Sequence, residues 1–235
     1  TYFIPKIIKI NLLFFSILIL LGLYLTEAFL SAKHKKFAMY KNLTGKDYDQ
    51  RTKFEIYSDL KKDDPNIIVS PPPVHFKNNL NFSYAPLSGI ANRKTIHCNE
   101  NGYYSLYKSD RYGFNNPDEE WDKEKIDYLL IGDSFVHGGC VNEPDTISGN
   151  LRKLNNSENG VLNLGMGMNE SLLEYATLKE YFPTKKVKRV LWFYYSKDLQ
   201  NLNAELKNKI LVNYLNDKNF TQNIISRKQE IEKLL

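Results

Sequence analysis

Imidazole and thiol groups are scarce in this chain: 235 residues hold four histidines and two cysteines, and no histidine follows His137. Any chemistry that needs an imidazole must draw it from the first 137 residues. No glycine-rich phosphate loop and no internal repeat are present, so nucleotide cradles and solenoid arrays lose their usual signatures. The abundance of asparagine and lysine is a compositional bias that carries no mechanism of its own. Excess charge is also small. Lys and Arg total 32 against 27 Asp and Glu, a net of +5, and residues 1–50 supply seven basic and three acidic residues. The remaining chain is almost neutral and lacks the basic face that a nucleic-acid surface requires, so no nucleic-acid partner is expected. The basic residues near the N-terminus flank an apolar segment instead, which suits attraction to anionic lipid.

That segment runs from Leu12 to Tyr24, broken by Ser16 and Gly22, and continues loosely through Thr26 and Glu27 to Leu30. Its uninterrupted part has the length of a signal-peptide core, while residues 11–30 reach the roughly 20 residues that span a bilayer. Thr26-Glu27-Ala28 makes a poor cleavage site, because its first residue is β-branched and its middle one charged; a retained single-pass anchor is therefore favoured. Lys6 and Lys9 precede the segment, and Lys33, Lys35 and Lys36 follow it, so the positive-inside rule gives no clear orientation. Cys98 and Cys140 form an even pair. In an exported chain they suit a disulfide, with free buried thiols and a zinc site shared with His97 and His137 as alternatives. Adjacent His97 and Cys98 on a strand would point to opposite faces, which argues against one metal taking both. Neither cofactor nor metal is expected.

Residues 1–32 read as the anchor or signal segment and 33–75 as a polar stalk, closed by Asp64-Pro65 and the extended Pro71-Pro72-Pro73 run. Residues 76–235 read as the folded domain. Lys94–Cys98 and Tyr103–Tyr107 flank Asn101-Gly102 as a hairpin, and Ser109–Pro117 is a turn-rich loop packed by its aromatics. From there apolar strand-like runs at Ile126–Ile131, Gly160–Leu164 and Val187–Tyr195 alternate with helical spacings at Ile147, Leu151 and Leu154, and at Leu172, Leu173, Ala176, Leu178 and Tyr181. Strands separated by helices imply a parallel sheet, so the fold class is α/β. From Leu202 onward the spacing is helical again, interrupted at Asn216–Asn219, with no closing strand or cap evident. Trp192-Phe193-Tyr194-Tyr195 reads as core more readily than as the lining of a sugar cleft.

The first strand ends in Gly132-Asp133-Ser134-Phe135, delivering a serine into a turn. Asn163-Leu-Gly165-Met-Gly167 follows the second strand, and Ser196-Lys197-Asp198 follows the third. In this order the three blocks resemble the SGNH (GDSL) serine hydrolases over about residues 89–200, the first block being the specific part. The resemblance implies a three-layer, flavodoxin-like parallel sheet and acyl-ester hydrolysis or transfer, with cell-surface carbohydrate as an expected acyl carrier. It also implies Ser134 as nucleophile, Asp133 as a shaper of the turn, and an oxyanion hole drawn from the Ser134 amide and the second block at Gly165, Gly167 or Met168. A non-catalytic envelope protein that keeps this fold for binding or assembly is the alternative.

The chain departs from that family in three places. Met168 stands where the second-block glycine is expected, Lys197 where the third block supplies an asparagine, with Asn201 the next available, and no Asp-x-x-His block follows. Loss of one oxyanion donor costs on the order of 3 kcal/mol in the transition state. With the C-terminal pair absent, the sequence is expected to be the N-terminal portion of a longer protein, and His137 is the nearest imidazole. It reads as a packed loop histidine or, less readily, as the base. Ser134 likewise retains an ordinary reading, as the N-cap of the following helix.

Overall fold

The computed structural model describes residues 5–71, 84–155, 158–183 and 185–233, without the side chains of Lys33 and residues 197–201. Pro72, Pro73 and His75 lie outside the described residues. Two compact units divide at residue 50, so each is taken separately.

The first unit is dominated by helix α1, Lys6–Thr44, which ends on Gly45 in the left-handed region with its N–H donating to Lys41 O. At 1.5 Å per residue it is about 58 Å long, more than the roughly 30 Å of a hydrocarbon core. This one helix near the N-terminus is long and apolar enough to cross a membrane. Within its apolar stretch Ser16 Oγ donates to Leu12 O and Thr26 Oγ1 to Gly22 O, which satisfies these two hydroxyls inside the helix as a span in hydrocarbon would require. The expected boundary between anchor and stalk at residue 32 falls inside this continuous helix.

The second unit, residues 51–235, begins earlier than the sequence suggested. Helix α2, Lys53–Asp63, opens with a capping box in which Thr52 and Glu55 satisfy each other's backbone N–H groups. Its Ile56 packs with Ile67 and Ile96 in a small apolar cluster, so this stretch belongs to the domain and is not a stalk. The short strand β1, Ile68–Val69, pairs parallel with β2, Lys94–Ile96, which pairs antiparallel with β3, Leu106–Lys108. The expected hairpin exists, with its regular strands shorter than expected; beyond Ile96 the ladder continues through His97 N–H to Ser105 O and Ser105 N–H to Cys98 O.

The main sheet is parallel, in the order β5, β4, β6, from Gly160–Asn163, Lys125–Ile131 and Lys186–Trp192. Central β4 is apolar on both faces. Leu129 and Ile131 join the larger core with Leu172, Leu173 and Ala176 of helix α5, Ser171–Tyr181, whereas Leu130 packs with Val161, Val136, Ile147 and Leu151. Val136 belongs to the short helix α3, Ser134–His137, and the last two to α4, Ile147–Leu154. Leu154, expected on the apolar face of α4, is exposed.

Among the described residues β6 is an edge strand whose outer side no strand covers. The aromatic run that follows is therefore at the surface, not in the core, with Trp192 42% and Tyr194 59% exposed. Trp192 Nε1 is held by Glu174 Oε2 at 2.6 Å. The C-terminal part forms helices α6, Ser196–Glu205, α7, Lys209–Asn216, and α8, Lys228–Glu232. Asn208 caps α7 through bonds from the Ile210 and Leu211 amides, a cap that the sequence reading missed. Leu211, Tyr214, Ile224 and Ile231 enter the same core as α5, so this segment packs as part of the domain.

Candidate active site

The turn after β4 begins where a side chain has no room. A Cβ on Gly132 would lie 2.5 Å from Val136 Cγ2 and 3.2 Å from Phe193 Cβ. The N-cap of α3 falls on Asp133, whose Oδ1 accepts the Phe135 N–H at 2.9 Å. Ser134 is therefore the first helical residue and not the cap. Its hydroxyl makes no hydrogen bond among the described residues, and the side chain is half-buried on a cleft of about 400 Å³ shared with His97, Phe135, Gly139, Cys140 and Asp145. Because β4 lies between β5 and β6, with its two neighbours reached in opposite directions, this turn occupies the switch point where α/β sheets open a crevice.

No family model, curated protein or solved structure matches the chain.

The geometry of the second block is set by close approach. A Cβ on Gly165 would lie 2.6 Å from both His137 N and Val136 Cβ, so glycine lets the turn after β5 seat against α3. Asn163 fastens the same contact: its Nδ2 donates to Val136 O at 2.6 Å and its Oδ1 accepts the Gly165 N–H at 2.8 Å. Gly167 N–H donates to His137 Nδ1 at 3.0 Å. Both glycine amides are thus occupied within the protein. Met168, 57% exposed, adopts φ 66°, a left-handed conformation that glycine takes with less strain. The amides of Ser134 and Met168 take no part in these bonds. The side chains of Lys197 and Asn201 lie outside the described residues.

His137 is buried behind the turn. Since Nδ1 accepts from Gly167, the neutral ring carries its proton on Nε2, which donates to Tyr107 Oη at 3.1 Å. Burial, reinforced by neighbouring His97, holds its pKa well below the ordinary histidine value. Both nitrogens are engaged, which is the packed arrangement and not that of a free base.

Cys98 and Cys140 are joined as a disulfide with Cα atoms 4.8 Å apart, leaving no sulfur for a metal. That bond brings the end of the hairpin onto the loop after α3, and with it His97, which the sequence reading weighed only as a zinc ligand. His97 Nε2 and Ser134 Cβ each lie 4.0 Å from the point where a Cβ on Gly167 would sit. The two groups are therefore within twice that distance of each other. The His97 ring lies against that of His137, centroids 4.2 Å apart and planes tilted by 40°, and meets Tyr107 edge-on at 5.9 Å. Burial, then the Lys53 ammonium, lowers its pKa to about 4. The available signal was the cysteine pair itself, since linking residue 98 to residue 140 carries residue 97 toward residue 134.

Behind the site, a polar network holds the loop at 109–117. Asp110 accepts from the Tyr112 and Phe114 amides, from Asn116 Nδ2 and from Trp121 Nε1. Desolvation nevertheless raises its pKa above the ordinary aspartate value. Asn116 passes the network to Asn163 N–H and to Arg152 through its Oδ1, and Arg152 also pairs with Glu120 and Glu143. The loop expected to be packed by its aromatics is held by a buried carboxylate as well.

Proposed function

We propose that the chain is a membrane-anchored serine hydrolase of SGNH type that hydrolyses or transfers acyl esters, with acylated surface carbohydrate as the substrate class. The observation that carries this reading is the state of Ser134: it stands at the C-terminal end of the central parallel strand, its hydroxyl unengaged and open to a cleft, while Asp133 performs the capping. Packing of β4 against α5 on one face and α4 on the other supports the three-layer form of the fold. The Cys98–Cys140 disulfide supports an oxidising, extracytoplasmic location for the domain, with α1 as a single-pass anchor in the bilayer. In the reaction Ser134 Oγ attacks the ester carbonyl, and the amides of Ser134 and Met168, left out of the bonds above, are the donors assigned to the resulting oxyanion.

Full-length protein in detergent micelles should hydrolyse an activated aryl acetate, and Ser134→Ala should return the rate to the solvent background. Equal turnover by both proteins would remove the nucleophile. Occupation of both second-block glycine amides and exposure of the Trp192–Tyr195 run favour the alternative, a binding or assembly protein on the same fold. Saturable glycan binding without ester turnover would select it.

A further inference from the structure

We propose that the proton acceptor for Ser134 is His97, delivered from the N-terminal hairpin by the Cys98–Cys140 disulfide. The inference rests on the hydrolase reading above and adds to it a proton acceptor for the nucleophile. His97 and Ser134 line one cleft, and His97 Nε2 and Ser134 Cβ flank the same point beside Gly167, 4.0 Å from each. The rival imidazole, His137, has both nitrogens occupied by Gly167 and Tyr107. Asp133 is used in capping, and Glu100 and Asp145, which also line the cleft, are exposed carboxylates.

His97 is also held firmly. Its N–H is tied to Ser105 O, the next residue is cross-linked to Cys140, and its ring lies on His137. Among the described residues its Nδ1 has no hydrogen-bond partner, so none of their carboxylates fixes the tautomer or stabilises an imidazolium. Lys53 of α2, whose field opposes protonation, is the charged neighbour that lowers its basicity after burial itself. The site therefore resembles a triad without its third member, a lesion that costs about 10⁴-fold in kcat where it has been introduced into a complete triad.

The step balances without a cofactor. As the Oγ–C bond forms and the carbonyl π pair moves to oxygen, the Ser134 proton passes to His97 Nε2, directly or through one water. Collapse breaks the ester C–O bond, and the leaving alkoxide takes that proton. Water then attacks the acyl-serine by the same route, returning the proton to Ser134 Oγ and releasing the carboxylic acid.

The test is the rate at which the full chain, in detergent micelles, is labelled at Ser134 by a fluorophosphonate ester. His97→Ala should label at least about 100-fold more slowly, within the range for loss of a general base, and free imidazole should restore part of the rate. A His97→Ala rate equal to wild type would overturn the assignment of the base while leaving Ser134 as nucleophile. No labelling of wild type would overturn the hydrolase reading and the base with it. Wild-type protein treated with diethyl pyrocarbonate gives a readout independent of the variant's folding. Modification mapped to His97 should abolish labelling, and full labelling of protein modified at His97 would contradict the proposal.

Discussion

Ser134 and His137 share one turn of helix, yet their polar atoms are used in opposite ways. The serine hydroxyl is left open because Asp133 supplies the cap, whereas the histidine is closed on both sides by Gly167 and Tyr107. His97 lies between these extremes, packed against His137 and facing the cleft. Its pKa of about 4 in the folded chain, against the usual 6.5, has a thermodynamic consequence. Below about pH 6.5 the unfolded chain binds more protons at this residue, so stability conferred by neutral His97 is lost as the pH falls toward 4. Lys53, His137, Tyr107, Glu100 and Asp145 are shared by wild type and His97→Gln, so a comparison of the two isolates the residue. The urea midpoint of wild type should fall relative to that of His97→Gln between pH 7 and pH 5, and parallel curves would contradict a neutral buried imidazole. Ser134 and Asp133 were legible in the sequence because a strand followed by Gly-Asp-Ser is a local pattern. His97 was not, because its place in the site depends on a cross-link across 42 residues.

At the scale of elements, the three parallel strands were legible because each is a short apolar run between helical spacings. Strand β1 was not: two residues between a helix and a proline run leave no period to read, and pairing with β2 alone defines it. The aromatic run at 192–195 misled because composition cannot distinguish a central strand from an edge. Tight seating of α3 against β5 depends on Gly165 and Asn163, residues whose role appears only when the two elements meet. The disulfide acts at this scale too, tying the hairpin to the loop after α3. Closing a loop of 42 residues reduces unfolded-chain entropy by an amount worth about 4 kcal/mol in the chain-entropy model. Cys98→Ser combined with Cys140→Ser should lower the unfolding free energy by about 2–5 kcal/mol in urea titration. A loss under about 1 kcal/mol would show that the hairpin is held by its apolar cluster alone.

The whole molecule joins a long apolar helix to a domain that starts at residue 51, and that domain gathers its core from both ends of its chain. Gln222 Oε1 accepts the Ala85 N–H, Glu232 Oε1 accepts the Ala91 N–H, and Ile224 and Ile231 fill the same core as Leu87 and Leu172. The α/β class and the long apolar N-terminal helix were readable from period and composition, whereas these distant closures were not, since nothing local marks their partners. All of this architecture places one serine at the mouth of one cleft, so the decisive measurement is made there. Full-length protein should be treated with a fluorophosphonate ester, digested and mapped by mass spectrometry. A single adduct on the peptide containing Ser134, absent from Ser134→Ala, is the expected result; no adduct, or the same adduct in both proteins, would contradict a nucleophilic serine at this site.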